Sequence, residues 1–210
     1  MNALELLEQS PVIPVMVIKD IDSAVDLAAA LVSGGIRCLE ITLRSSVAFD
    51  AIRLIGEAVP KAIVGVGTVR NTSQFDAALD AGAKFAVSPG LTRELAAAAR
   101  ASGIAFLPGI ATPSESMFAA DRGYTVQKLF PAEAVGGVAL LKSLYGPMPD
   151  IAFCPTGGIN PRNAKNYLAL PNVRCVGGSW LTPDSVVANR QWDTIAQLAR
   201  EACLLGKSGS

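Results

Sequence analysis

The sequence predicts an α/β chain folded as a single (β/α)8 barrel, on three observations. Eight short apolar or β-branched runs recur at intervals of a little over twenty residues, helix-patterned segments separate them, and polar residues gather at the C-terminal ends of the runs. Runs this apolar suit parallel strands covered by helices. A doubly wound sheet would be expected to carry Gly-x-Gly-x-x-Gly after its first strand, whereas this one continues into Ile18, Lys19 and Asp20. A short helix is expected ahead of the first strand. The domain is expected to span residues 1–205, and the Gly/Ser-rich residues 206–210 have the composition of a flexible tail.

The first strand is read at residues 12–18. The helical segment after it has apolar residues at helical spacing and closes on Gly34 and Gly35. The second, at 37–43, carries Glu40 and Thr42, followed by Arg44. The third, at 62–68, ends in Gly67 and Thr68, and the fourth, at 83–89, in Ser88 and Pro89. The helix that follows begins at a capping Thr92 and stops at Gly103. Strands five to eight are read at 104–109, 124–130, 151–156 and 173–179. They end respectively at Gly109, at Lys128 and Phe130, at Thr156 with Gly157 and Gly158 following, and at Gly177, Gly178 and Ser179. In a barrel all eight C-terminal ends converge on one mouth, where polar residues read as functional.

Composition removes several classes of function. Eighteen basic and eighteen acidic residues cancel without a basic run, so nothing points to a nucleic acid or an anionic membrane as partner. No apolar run approaches the ~18 residues of a membrane span, and the N-terminal residues are acidic where a signal peptide is basic, which predicts a soluble cytoplasmic protein. Only 17% of residues are charged, against roughly 25% in an average domain, so self-association is expected. Cys38, Cys154, Cys175 and Cys203 lack metal-site or redox-motif spacing and read as reduced thiols, mostly buried. There is no histidine, which removes histidine triads, histidine proton shuttles and the commonest metal ligand.

A lysine inside an apolar strand then needs a reason. Strand alternation puts Val126, Lys128 and Phe130 on one face, and Cys38, Glu40 and Thr42 on one face of the second strand. If both faces point inward, a lysine and a glutamate meet away from bulk water. Burial disfavours the ammonium while the carboxylate favours it. A lysine with an accessible neutral fraction attacks carbonyl carbon and forms a Schiff base, an electron sink for making or breaking carbon–carbon bonds. Glu40 is the one acid that the pattern places on an inward strand end, available as proton shuttle. The bland alternative is an ion pair that merely closes the barrel.

Two glycine-rich strand ends, at 156–158 and 177–179, stand where barrels build phosphate sites from backbone N–H groups, with Thr156 and Ser179 as further donors. Ordinary turn chemistry is the competing explanation. Arg44 and Thr68 are placed to clamp a small carboxylate, although Arg44 also reads as a solvated loop charge.

The motifs LEITLRS, IVGVGTV, FAVSPGLT, FLPGIATPSE, QKLFPAEAVGG, FCPTGGI and CVGGSWL, in that order, resemble the 2-keto-3-deoxy-6-phosphogluconate (KDPG) aldolases, whose relatives also cleave 4-hydroxy-2-oxoglutarate. The resemblance implies a class I lyase that reversibly splits KDPG into pyruvate and glyceraldehyde 3-phosphate with no metal or cofactor. Its implied Schiff-base lysine is Lys128 and its implied acid/base is Glu40. The pyruvate carboxylate is implied at Arg44 and Thr68, the keto-acid carbons against Pro89 and Phe130, Thr156 beside the reacting carbons, and phosphate at Gly157, Gly158 and Ser179. A homotrimer is implied as well. Two departures stand out: Leu129 where many relatives have Phe, and Lys19 where the galactonate branch has an Arg. Three readings therefore compete with KDPG cleavage: preference for 4-hydroxy-2-oxoglutarate, preference for the phosphogalactonate epimer, and a barrel that has lost catalysis and serves as a binding module.

Overall fold

Parallel strands cannot be joined by tight turns, so each return must cross over, usually by a helix. The computed structural model describes residues 1–206; of the expected tail, residues 207–210 lie outside the described residues. In chain order the elements are α1 (Ala3–Leu7), β1 (Val12–Met16), α2 (Ala24–Ser33), β2 (Cys38–Thr42), α3 (Ala48–Ala58), β3 (Ile63–Gly67), α4 (Thr72–Asp80), β4 (Phe85–Val87) and α5 (Arg93–Ser102). There follow β5 (Ala105–Leu107), β6 (Gly109–Ile110), α6 (Pro113–Ala120), β7 (Val126–Leu129), α7 (Gly137–Tyr145), β8 (Ala152–Pro155), α8 (Ala164–Leu168), β9 (Val176–Gly178), α9 (Asp184–Ala188) and α10 (Trp192–Leu204). The short N-terminal helix is α1, started by a reciprocal capping box between Asn2 and Glu5. At α5 the Thr92 side chain accepts from the Leu95 N–H, and Gly103, at φ 72°, ends the helix in a left-handed conformation that glycine adopts at no steric cost.

The strands form a curled, all-parallel sheet in two segments, ordered β5-β4-β3-β2-β1-β9 and β6-β7-β8. The run expected as one fifth strand is split in two at Pro108. Proline has no N–H to give to a ladder, so β5 pairs with β4 and β6 pairs with β7. The Pro108 carbonyl still accepts from the Lys128 N–H at 2.9 Å. Gly109 lies so close to Pro89 that a Cβ would strike its backbone. Between β8 and β9 there are only single bridges, Phe153 to Val173 and Thr156 to Gly177.

Strand alternation sorts the apolar residues into two cores. Val12, Met16, Leu39, Ile41, Val64, Val66, Ala86, Phe106, Leu129, Phe153 and Val176 pack outward beneath the helices. Ile13, Cys38, Phe85, Val87, Leu107, Val126, Cys154 and Cys175 fill the concave side together with Leu6 and Leu7 of α1. That inner cluster is an apolar floor, and the polar strand ends stand above it.

The floor has a measurable signature. Burial pushes the Cys38 thiol from its ordinary 9.0 up to about 12, with Arg37 opposing, and burial likewise raises Cys175. An unfolded thiol ionises at a lower pH than the folded one, so the contribution of Cys38 is intact below pH 9.0 and is lost as pH climbs toward 12. Urea unfolding across that interval should show falling stability, with a shallower fall in Cys38→Ala; an identical slope in the variant would contradict the assignment.

Candidate active site

The site begins with two side chains on strands that are not neighbours. Lys128, third residue of β7, and Glu40, third residue of β2, extend inward over the floor, with Lys128 Nζ donating to Glu40 Oε1 at 3.2 Å. Their side chains are 7% and 4% exposed, so the pair is desolvated. Gly67 makes room for it, since a Cβ there would collide with the Glu40 carboxylate. The Phe130 ring lies with its centroid 5.3 Å from the ammonium, adding an apolar wall with an electron-rich face. A desolvated amine 3.2 Å from a carboxylate has its proton acceptor in place.

This pair opens into a cavity of about 280 Å³ at the C-terminal ends of the strands. Lys128, Glu40, Arg44, Thr68, Pro89, Phe130, Thr156, Gly157, Gly158 and Ser179 all line it. Among the described residues, Lys128 is its only lysine and Glu40 its only carboxylate. On one side, the Arg44 Nε donates to Thr42 Oγ1 (3.2 Å), which donates to the Met16 carbonyl (2.7 Å). That chain anchors the guanidinium, and among the described residues Arg44 makes no ion pair. Thr68 has φ 66°, a conformation that costs a β-branched residue about 1–3 kcal/mol and persists where its surroundings hold it. Here the Leu43 N–H bonds the Gly67 carbonyl at 2.9 Å and the Val69 N–H bonds the Val87 carbonyl at 3.2 Å.

On the other side, the chain after β8 turns through Gly157 (φ 102°) and Gly158 (φ 78°). The Gly157 carbonyl accepts from the Glu133 N–H (3.1 Å) and the Gly158 carbonyl from Asn163 Nδ2 (3.1 Å). With the carbonyls so engaged, the N–H groups of Gly158 and Ser179 donate to no backbone carbonyl among the described residues. Uncommitted N–H groups beside a concave turn suit an anion.

Sequence reasoning missed Val15 and Ile159, which also line the cavity. Val15 shares strand parity with Ile13 and pairs in register with Glu40, so alternation could have found it. Ile159 follows the glycine turn, where no period applies. Thr42, expected to share the inward face, anchors Arg44 instead of lining the cavity. Lys19 is exposed, bonds Asp184 at 2.8 Å and lines a neighbouring cavity of about 560 Å³, which meets the first at Val15, Arg44 and Ser179. The larger cavity has an exposed Lys19–Asp184 pair and, among the described residues, no buried amine–carboxylate pair.

A curled parallel sheet whose mouth holds a buried lysine–glutamate pair, a guanidinium and an anion-ready turn defines a lysine-dependent carbonyl enzyme. The chain belongs to the KDPG and KHG aldolase family, whose profile matches residues 4–198. It is 54% identical to the 2-dehydro-3-deoxy-phosphogluconate aldolase of Pseudoalteromonas atlantica, over 96% of this chain and 94% of that one. With the KHG/KDPG aldolase of Escherichia coli it shares 51% identity over the same shares of each chain. Among solved structures, KDPG aldolase from Legionella pneumophila, with pyruvate captured at low pH as a covalent carbinolamine intermediate, superposes with a TM-score of 0.95 at 46% identity, covering 97% of this chain and 98% of that one.

The closeness of Gly67 to Glu40 yields a test. Gly67→Ala should leave the sheet folded but displace the carboxylate, lowering kcat by about 100-fold, the scale of an ångström-sized misplacement. Glu40→Gln should lose about 100- to 10,000-fold. Steady-state pyruvate release together with circular dichroism checks both; folded variants within a few-fold of the parent would remove Glu40 from the chemistry.

Proposed function

We propose that this protein is a class I aldolase that reversibly cleaves KDPG to pyruvate and glyceraldehyde 3-phosphate through a Schiff base on Lys128. The observation that carries the reading is the buried Lys128–Glu40 pair inside a cavity that is also lined by the Arg44 guanidinium, which makes no ion pair among the described residues, and by the glycine turn at 157–158. Arg44 and Thr68 take the keto-acid carboxylate, Pro89 and Phe130 pack on its carbons, Thr156 stands beside the reacting carbons, and Gly157, Gly158 and Ser179 receive the phosphate.

The neutral Lys128 amine adds to the C2 carbonyl to give a carbinolamine. Glu40 takes up the amine proton and returns a proton to the departing hydroxyl, so water leaves and a protonated imine remains. Glu40 then removes the proton of the C4 hydroxyl. The C3–C4 electron pair moves into the imine, releasing the aldehyde and leaving the enamine of pyruvate. Protonation at C3 and addition of water to the imine free pyruvate and restore the lysine. One carboxylate serves every proton transfer because it is the only one among the described residues that line the cavity.

A second reading, cleavage of 4-hydroxy-2-oxoglutarate, asks nothing of the glycine turn: the Lys128–Glu40 pair and Arg44 suffice for an unphosphorylated keto acid. The Escherichia coli relative is named for both activities. The phosphogalactonate epimer remains a third candidate substrate, addressed by the same assays.

We further infer that the two sheet segments form one (β/α)8 barrel in a single domain over residues 1–205. The inference is supported by chain continuity from β5 to β6 and by the Phe153–Val173 and Thr156–Gly177 bridges. A homotrimer accords with the low charged fraction. A cytoplasmic setting accords with buried thiols at Cys38, Cys154 and Cys175; no helix among the described residues is long and apolar enough to cross a membrane.

Borohydride added with pyruvate should fix one pyruvyl group per chain, mapping to the peptide that holds Lys128. Lys128→Arg keeps a positive charge without a neutral amine near pH 7 and should abolish both adduct and turnover. An adduct on another lysine would refute the mechanism. Ser179→Asp places a carboxylate on the cavity lining without a left-handed backbone to strain, and should damage cleavage of KDPG far more than that of 4-hydroxy-2-oxoglutarate; equal damage would count against the phosphate assignment.

A further inference from the structure

We propose that Tyr167 is a positioning residue for the anionic end of the substrate, acting by holding the Glu133 carboxylate away from the turn at Gly157 and Gly158. The proposal rests on the reading above that this turn receives the phosphate. Glu133 is an unexpected neighbour for such a site. Its N–H bonds the Gly157 carbonyl, and a Cβ on Gly158 would stand only 2.5 Å from its Cγ, so the side chain lies against the back of the turn. A carboxylate there that swung toward the cavity would repel the phosphate.

Two features keep it turned away. The Tyr167 hydroxyl, on α8, donates to Glu133 Oε1. Its ring is fully buried, so the donor cannot follow the carboxylate elsewhere. The same oxygen faces the start of α7, where a Cβ on Gly137 would lie 3.2 Å from it and 2.5 Å from the tyrosine oxygen. Glycine at 137 therefore lets hydroxyl, carboxylate and helix N-terminus meet, and the positive end of the helix dipole favours the charge in that place. Burial first, and then the bond to Glu133 and its charge, raise the tyrosine pKa, so the hydroxyl remains a donor at neutral pH. Glu133 accordingly does not line the cavity, although it adjoins the turn that does.

Tyr167→Phe keeps the buried ring and removes the donor. Because Glu133 is solvent-exposed, screening limits the effect: KM for KDPG should rise about three- to tenfold, with kcat and the KM for 4-hydroxy-2-oxoglutarate within twofold. Glu133→Gln added to Tyr167→Phe should restore the parental KM, since a neutral amide does not repel phosphate; a purely structural tyrosine would show no such rescue. Glu133→Asp, too short to reach the hydroxyl, should reproduce the selective rise independently of any folding defect in Tyr167→Phe. Unchanged KM for KDPG, equal change on both substrates, or no rescue by Glu133→Gln would overturn the proposal. Ser179→Asp, which leaves Glu133 in place, run in parallel separates the two readings: selective damage there without selectivity in Tyr167→Phe removes the positioning role alone, and loss of selectivity in both removes the phosphate assignment with it.

Discussion

The structure is organised around one desolvated ion pair, Lys128 with Glu40, 3.2 Å apart above an apolar floor. Such a pair is a poor device for stability, because removing two charges from water costs several kcal/mol per ion and mutual attraction returns that only with good geometry. An apolar pair of similar volume would hold the two strands together at least as well. What the apolar pair could not do is present an amine and a carboxylate, poised to exchange a proton, to one carbonyl carbon. On the proposed mechanism the expense of burial is a condition of the chemistry, and the glycine at 67 is part of that condition because any side chain there would occupy the carboxylate's place.

Around that pair the inner surface is divided by height. Below it, thiols and aliphatic side chains from the strands meet Leu6 and Leu7 of α1, which stop the lower end against water. Above it, side chains give way to backbone: glycines end β3 and β9 and form the turn after β8, and the groups offered to a ligand are N–H donors fixed by bonds on their far side. Fixed dipoles need no reorganisation when charge arrives, which is what makes such a rim suited to holding an anion while bonds rearrange below. The same logic accounts for the network of Thr42, Arg44 and the Met16 carbonyl, which anchors the guanidinium at the mouth.

Much of this was legible in the chain, and the reasons are local. Lys128 stood out because an ammonium in an apolar strand is improbable without a partner, and Glu40 because parity placed it on a shared face. The glycine turns were visible because backbone at positive φ admits few other residues. Val15 was legible by the same parity and was overlooked, whereas Ile159, just beyond a turn, had no periodic signal to betray it. The break at Pro108 was marked by a residue without an N–H, yet the sequence pattern alone read one strand through it.

The sequence by itself determined the order of strands and helices, the face on which each strand residue lies, and the residue types available for chemistry, because these follow from backbone periodicity and side-chain identity within a few residues. Tertiary structure alone decided that residues 88 positions apart in the chain touch, that Thr42 serves Arg44 instead of the cavity, and that Glu133 is drawn toward Tyr167 and α7. Those outcomes depend on register and on the curl of the sheet. Both are set by hydrogen bonds and packing between distant segments, and no local pattern encodes a distance through space.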